Sequence, residues 1–417
     1  MAKPQNQPTP PVQPVAAVDG APPRNAYYDK VAARYRTAQY LTLFLLVAVI
    51  LAGFIMGSGS ITYANFVYLL RDFDTILSAS GGETVPAIRY GTADDRQYLV
   101  YRDGLTLVDQ SGVRVYNSAG RRTLEDDPAF SDPRAAASDQ YMLVYDLGGK
   151  SYALYNSLTR IYTGTLDFPI TCGAISDSGM YAVVTGTREY TSAVLLYSKN
   201  NKLKNRFLKD KYVIDVAISD DGERIAILSV ESVNGAYQAE FQVCRPGADT
   251  ALATLEVAGV FPMAVRFFDD NRFAVLCDSA IYFYSADGES LGSYAFIDDA
   301  PSRFALDGET AALVFPNNVM GTESRVMCFD ASGELVDEAI LDGRAQEIAL
   351  TDDALYLLTE HWLHRLSFSH GNTASLDYAG GGKALLPTDD GVLLCTASTA
   401  YRYDAGQFSA ESQSTED

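Results

Sequence analysis

The sequence predicts an all-β fold, an eight-bladed β-propeller preceded by one transmembrane helix. Three observations predict it: a motif that recurs about every 42 residues, short apolar runs that follow its copies, and one charge-free apolar segment near the N-terminus. The 417 residues are enough for one large ring of this kind. Seven blades are the alternative, in which the first unit contributes only to ring closure.

A Pro-rich tail and an apolar span come first. Residues 1–36 are expected to form a disordered cytoplasmic tail, because their first part is rich in proline and nearly free of large apolar side chains. Residues 37–58 are predicted to form the transmembrane helix. Tyr40–Met56 is almost wholly apolar, and about 20 helical residues cover the hydrocarbon core of a bilayer.

The charges around this span predict its orientation. Lys30, Arg34 and Arg36 directly precede it, which places the N-terminus in the cytoplasm and the propeller outside the cell membrane. We expect an uncleaved signal anchor, and a cleaved signal peptide is the alternative. Residues 59–82 then form a juxtamembrane segment, either an amphipathic helix at the membrane surface or a stalk.

Eight aspartates mark the repeats of the predicted propeller domain, residues 83–404. They are Asp94, Asp139, Asp177, Asp220, Asp269, Asp307, Asp352 and Asp389. Each precedes an apolar run, and the run assigned to the first unit is YLVY (98–101). We expect each aspartate to cap the corner between the first and second strands of a blade. The second strand is expected to be buried between neighbouring blades, which allows a continuous apolar run.

The two ends of the repeat region carry separate expectations. The last unit, which starts at Lys383, has room for only about three strands. A strand from before Tyr90 is therefore expected to complete the final blade. The remaining residues, 405–417, are expected to form a disordered tail.

The repeat itself resembles known propeller repeats. The stretch AISDDGERIAIL (217–228) resembles the S-P-D-G-x-x-[IL]-A repeat of Tol-associated envelope proteins, in the WD40-like class, and YSADGESLGSY (284–294) is similar to repeats of quinoprotein-like propellers. The layout of tail, span, NFVYLLRDFD segment and propeller resembles an uncharacterised Firmicutes family of single-span membrane proteins with a domain of unknown function. These resemblances imply the architecture and supply no active-site residues.

Composition and motifs restrict the possible chemistry. Residues 71–417 carry 27 basic and 51 acidic side chains, a net charge of −24 that argues against nucleic-acid binding. The five cysteines include no CxxC pair and are interpreted as buried free thiols. His361 and His364 would point to opposite faces of a strand, so they do not form a metal pair. No cofactor, metal site or catalytic residue is predicted.

One basic stretch stands out in this acidic chain. Residues 198–212 carry six basic side chains, which are candidates for binding an anionic wall polymer or a partner protein: Lys199, Lys202, Lys204, Arg206, Lys209 and Lys211. The alternative is a solvated hairpin that offsets the acidic body. The sequence thus favours a non-enzymatic binding or assembly scaffold at the cell envelope. The alternatives are an outward-facing sensor and a carbohydrate-active propeller enzyme, a glycosidase or lyase.

Overall fold

The computed structural model describes two parts of the chain. It describes residues 35, 37, 39–44 and 87–411, without 103, 157–158, 249, 298–299 and 369–371 and without the side chains of 409–411. The chain divides into two compact units, Met1–Phe73 and Asp74–Asp417. In the first unit, residues 35, 37 and 39–44 are helical.

The predicted membrane segments fall almost entirely outside this description. Among the described residues, no helix has the length and apolar character needed to cross a bilayer. Most of residues 1–36 and 37–58, and all of residues 59–82, lie outside the described residues. The tail, the transmembrane helix and the juxtamembrane segment therefore stay predictions.

The second unit folds into eight four-stranded antiparallel sheets, the blades of a β-propeller. Blade 1 contains β2 (Gln97–Tyr101), β3 (Gly104–Asp109), β4 (Gly112–Tyr116) and β5 (Arg122–Asp126). Blade 2 contains β6 (Pro133–Ala137), β7 (Tyr141–Asp146), β8 (Ser151–Asn156) and β9 (Arg160–Thr165). Blade 3 contains β10 (Ile170–Ile175), β11 (Tyr181–Thr185), β12 (Ser192–Tyr197) and β13 (Leu203–Lys209). Blade 4 contains β14 (Tyr212–Ile218), β15 (Ile225–Val233), β16 (Ala236–Cys244) and β17 (Ala251–Ala258).

The other four blades repeat this order. Blade 5 contains β18 (Pro262–Phe267), β19 (Arg272–Cys277), β20 (Ala280–Ser285) and β21 (Ser290–Ala295). Blade 6 contains β22 (Arg303–Asp307), β23 (Thr310–Pro316), β24 (Glu323–Asp330) and β25 (Leu335–Asp342). Blade 7 contains β26 (Glu347–Leu350), β27 (Ala354–Leu358), β28 (Trp362–Ser367) and β29 (Thr373–Asp377). Blade 8 contains β30 (Ala384–Thr388), β31 (Gly391–Cys395), β32 (Thr399–Asp404) and β1 (Ala87–Arg89).

Blade 8 is completed by a strand from the start of the domain. β1 pairs antiparallel with β32, and Ile88 lies opposite Ala400. Ile88 is buried with Leu393 and Cys395 from blade 8 and with Leu105 from blade 1. This pairing confirms the predicted closure by a strand before Tyr90, and the count of eight blades is confirmed over seven.

The hydrophobic core lies between the blades rather than at the centre of the ring. Eight apolar clusters each join two neighbouring blades, so that every blade is packed on both faces. The second strand of a blade is therefore buried along its length, as in Tyr181–Thr185 and Ala354–Leu358. This arrangement confirms the physical reason given for the continuous apolar runs.

The first blade departs from the predicted alignment. The run YLVY lies in the half-buried first strand β2, and the fully buried second strand is β3, Gly104–Asp109. Asp94 precedes β2 and does not lie at a corner, so this assignment is wrong. The corner of blade 1 follows Tyr101 and includes Arg102. Two apolar runs lie close together here, and only burial distinguishes the inner strand from the second one.

The C-terminal segment also differs from expectation. Helix α1 (Ala405–Glu411) begins where a disordered tail was predicted. Its Phe408 is 2% exposed and packs edge-on against the ring of Tyr356, with 5.6 Å between ring centroids. Burial of this aromatic ring between blades 7 and 8 stabilises a segment whose Gly and Ser content alone does not favour a helix.

Candidate functional site

The corners between first and second strands gather at one end of the propeller axis. The first strands contact one another all the way round the ring, so they are the innermost strands. Because every blade is antiparallel, the turn after each first strand lies at the same end. Seven of the predicted aspartates lie at these corners, and we call them the acidic mouth: Asp139, Asp177, Asp220, Asp269, Asp307, Asp352 and Asp389. Arg102 occupies the eighth corner.

A cavity of about 1100 Å³ opens within the acidic mouth. Four carboxylates of the mouth line it: Asp139, Asp307, Asp352 and Asp389. Its wall also contains the apolar side chains of Val100, Leu350 and Phe368. Among the described residues that line the cavity, Arg102 is the one basic residue. The site therefore combines a strongly negative rim with apolar surface.

The carboxylates of the mouth lie close enough to repel one another. The pKa of Asp139 is raised, first by the charge of Asp177 and then by burial and by Asp389. Burial, followed by the charge of Asp177, raises the pKa of Asp220. Burial also raises the pKa of Asp307, and the charge of Asp352 adds to the effect. Like charges from neighbouring and opposite blades thus share one electrostatic environment.

The carboxylates of these aspartates differ in the hydrogen bonds that they accept. Asp269 accepts from the backbone N–H groups of Asn271 and Arg272, and Asp307 accepts from Gly308 N, so both cap their own corners as predicted. Asp177 instead accepts from Asp139 N of the preceding blade at 2.7 Å.

In blade 4 the predicted cap was assigned to the wrong aspartate. Asp221, not Asp220, accepts from Glu223 N at 2.8 Å. Gly222 has φ +75°, and a β-carbon there would clash with Ser178 and Met180, which explains why glycine stands at this corner.

The basic stretch at 198–212 is split by the fold. Lys209 is 8% exposed, and its Nζ lies 3.3 Å from Glu240 Oε1 in the next blade. Lys211 Nζ lies 2.6 Å from Glu240 Oε2 and also contacts Glu231 and Glu256. These two lysines are thus part of an ion-pair network that joins blades 3 and 4, and they do not form a free binding surface.

The opposite charges in this network stabilise one another against the cost of burial. Burial lowers the pKa of Lys209, although Glu240 opposes the shift. Burial alone would raise the pKa of Glu240, but hydrogen bonds from Lys211 and Lys209 hold it below its usual value. Loss of either partner would leave a buried charge without compensation, which is costly.

The other four predicted basic residues remain available. Lys202, Lys204 and Arg206 are exposed, and Lys199 is half-buried. β13, which carries Lys204 and Arg206, is the outermost strand of blade 3. A groove of about 500 Å³ runs beside it towards blade 4 and is lined by Lys204, Arg206 and Lys209. We call Lys199, Lys202, Lys204 and Arg206 the basic edge.

Other polar side chains that could have carried chemistry have structural roles. His364 is buried, with its ring nitrogens 2.7 Å from Ser375 Oγ and 2.8 Å from the Asp342 carbonyl, and burial lowers its pKa. Asp330 caps its own hairpin by accepting from Ser332 N and Glu334 N. Within the described ranges, no three His, Cys, Asp or Glu side chains are placed to hold a metal ion. His370 lies outside those ranges.

A family match covers most of the propeller. The family of unknown function DUF5711 matches residues 80–398, which is well over half of the chain. The chain belongs to the DUF5711 family. No curated protein sequence matches this DUF5711 chain.

Solved structures resemble this DUF5711 propeller in fold. The C-terminal WD40 domain of Sif2 is 11% identical with a TM-score of 0.54, and the alignment covers 77% of this chain and 100% of that domain. BamB from Moraxella catarrhalis is 12% identical with a TM-score of 0.51, over 77% of this chain and 99% of BamB. At such identities the likeness concerns the fold alone, and it supports the predicted WD40-like β-propeller.

The acidic mouth was not recognised from the sequence of this DUF5711 protein. Each aspartate was interpreted separately as the cap of its own turn. The signal was nevertheless present, because residues that recur at the same place in every blade must lie at the same end of a closed ring. Recurrence of a charged residue at the innermost corner therefore predicts a ring of charge.

Proposed function

We propose that this DUF5711 protein is a membrane-anchored, extracytoplasmic propeller that acts as a non-enzymatic binding or assembly scaffold at the cell envelope. The apolar segment at 37–58, with basic residues before it, supports the anchor and the orientation. The closed ring supports the scaffold, because eight interlocked blades hold their surface loops and edges in fixed positions. The partner is an envelope protein or an anionic wall polymer.

The basic edge is the observation that carries this proposal. Lys202, Lys204 and Arg206 are exposed on and beside the outermost strand of blade 3, while the body of the protein is strongly acidic. A local positive surface on a negative protein attracts anionic partners and orients them. An outermost strand also offers unpaired backbone groups that a partner strand can use.

The proposal predicts that charge reversal at the basic edge weakens partner recovery. The full chain is crosslinked in a cell-envelope extract and purified, and the bound protein or polymer is quantified. Lys202→Glu with Arg206→Glu is expected to lower recovery by about tenfold, since an attractive surface becomes repulsive. Release of sugar from wall material in the same assay would favour the carbohydrate-active alternative.

A matched control separates a local effect from a change in total charge. Arg344→Glu with Lys383→Glu makes the same change in net charge at two exposed residues that precede the first strands of blades 7 and 8. This control is expected to leave recovery within about twofold of the parent chain. Equal losses from both pairs, or no loss from either, would contradict a role for the basic edge.

The carbohydrate-active alternative receives support from only part of its expected site. Several carboxylates converge at the cavity in the acidic mouth, as a glycosidase requires. The stacked tyrosines lie elsewhere: Tyr181 and Tyr197 stack at 5.2 Å between blades 2 and 3, and Tyr181 is fully buried. Among the described residues that line the cavity there is no tyrosine. The outward-facing sensor remains a variant of the scaffold, with the Pro-rich tail as its cytoplasmic output.

A further inference from the structure

We propose that the acidic mouth binds a lysine- or arginine-rich segment of a partner polypeptide, which enters the cavity at the end of the propeller axis. Four carboxylates of the acidic mouth, from blades 2, 6, 7 and 8, line that cavity. Three of them, Asp139, Asp352 and Asp389, accept no hydrogen bond from another described residue, so their oxygen atoms remain available. Cationic side chains would relieve the repulsion between these carboxylates.

A buried hydroxyl in the same cavity points independently to ligand binding there. Thr388 lines the cavity and is only 7% exposed. Its Oγ1 has no hydrogen-bond partner within the described part of the chain. Thr388 is the last residue of β30. Because side chains alternate between the two faces of a strand, Thr388 lies on the same face as Leu386, which packs towards blade 1. Buried polar atoms are rarely left unpaired, and a ligand N–H group would satisfy this one.

The dimensions and lining of the cavity favour a peptide over a smaller cation. No three acidic side chains of the described mouth are placed to ligate one metal ion. The volume of about 1100 Å³ is at the upper limit of ordinary small-molecule pockets. Val100, Leu350 and Phe368 offer apolar surface for the methylene stems of lysine or arginine, whose charged ends would reach the carboxylates.

This inference rests on the proposed scaffold function, because it assigns a partner chemistry to a second surface of the same ring. The two surfaces have opposite charge. The basic edge would attract anionic material, whereas the acidic mouth would take a cationic segment. A partner can therefore be lost from one surface and kept on the other.

Fluorescence anisotropy with a model peptide tests the assignment directly. The full chain is titrated into a short fluorescein-labelled lysine–alanine peptide at an ionic strength of about 0.15 M, and a glutamine–alanine peptide of the same length serves as the neutral probe. Binding of the lysine peptide alone is expected. Asp139→Asn with Asp352→Asn and Asp389→Asn should weaken that binding by at least about tenfold. Thr388→Val should weaken it by about threefold, since it removes only the hydroxyl group.

A second triple variant distinguishes the mouth from general attraction to an acidic protein. Asp167→Asn, Glu189→Gln and Asp377→Asn remove the same number of charges from exposed residues at the other end of the blades. Binding by this variant should stay within about twofold of the parent chain. Equal losses from the two triple variants, or no binding of the lysine peptide, would overturn the proposal.

Two further measurements test whether the bound cation belongs to a polypeptide, and distinguish the peptide site from the scaffold function. Spermidine is expected to compete only weakly with the peptide, and spermidine binding as tight as that of the peptide would overturn the polypeptide assignment. Circular dichroism and thermal unfolding confirm that each variant is folded. If the triple variant in the mouth binds the lysine peptide as tightly as the parent chain while Lys202→Glu with Arg206→Glu loses its envelope partner, the scaffold function stands and the peptide site in the mouth fails.

Discussion

Asp220 and Asp221 are neighbours in one turn, but their carboxylates have different surroundings. Asp221 accepts from Glu223 N at 2.8 Å and from Ser219 Oγ at 2.6 Å, so its carboxylate stabilises the corner of blade 4. The carboxylate of Asp220 accepts no hydrogen bond from another described residue, although its backbone carbonyl accepts from Ser178 N. Burial raises its pKa, and the charges of Asp177 and Asp270 raise it further. One carboxylate is structural, and the other adds to the charge of the acidic mouth.

The raised pKa of Asp220 predicts that neutralising its carboxylate stabilises the fold, by an amount that depends on pH. A carboxyl group with a raised folded-state pKa binds its proton more readily in the fold than in the unfolded chain, so its ionised form costs stability at neutral pH. Asp220→Asn should increase the free energy of unfolding by up to about 0.5 kcal/mol at pH 7. The gain should shrink as the pH falls towards 4, because the parent aspartate then binds its proton to an increasing extent. Urea unfolding at both pH values measures the difference.

Asp221→Ala is the control at the adjacent residue. It removes the acceptor for Glu223 N and Ser219 Oγ and should cost about 1 kcal/mol at pH 7. A loss of stability from Asp220→Asn at pH 7 would contradict the assignment of Asp220 to the repulsive group. A gain from neutralising the carboxylate of Asp220 is also what a site selected for binding rather than for stability would show.

At the scale of secondary-structure elements, β1 is the shortest described strand, and it closes the ring. Its three residues join the two ends of the propeller, and Ile88 is 3% exposed in the cluster between blades 8 and 1. Ile88→Ala should therefore lower the free energy of unfolding by about 2–4 kcal/mol, through lost burial and a residual cavity. Arg89→Ala changes an exposed residue of the same strand and should cost less than about 0.5 kcal/mol. Similar effects of the two substitutions in urea unfolding would argue against closure by β1.

The sequence predicted those elements whose burial pattern is local and missed those that depend on contacts between blades. Runs such as Tyr181–Thr185 and Ala354–Leu358 are second strands because both faces are covered, and that pattern is visible in the sequence. Blade 1 was misaligned because two apolar runs are separated by a short turn containing Arg102. The neighbour that buries one of them completely is distant in sequence.

The basic stretch shows the same limit for the candidate site. Lys209 and Lys211 belong to one run of basic residues with Lys202 and Lys204, yet their partner Glu240 is on the next blade. Sequence proximity grouped these lysines, and packing between blades separated them into a buried network and an exposed edge. The charge of the acidic mouth was missed for the converse reason, because its members are distant in sequence and adjacent only in the closed ring.

At the scale of the whole molecule, the two charged surfaces depend on ring closure. Eight inter-blade clusters fix the position of each blade relative to its neighbours, so the carboxylates of blades 2, 7 and 8 meet at one cavity. A net charge of −24 over residues 71–417 opposes compaction, and the apolar contacts between the blades offset that repulsion. Higher ionic strength should therefore stabilise the ring while weakening attraction at both surfaces.

The last prediction concerns the whole chain and follows from the proposed membrane topology. If residues 37–58 span the membrane with the N-terminus inside, an epitope tag placed after Asp417 should be removed by protease added to intact cells. A tag placed before Met1 should survive until the membrane is permeabilised, because the positive charge before the span retains that end in the cytoplasm. Immunoblotting of both tags on the same cells gives the comparison. Protection of the C-terminal tag on intact cells, together with its cleavage after permeabilisation, would place the propeller inside the cell and remove the envelope from the proposed function.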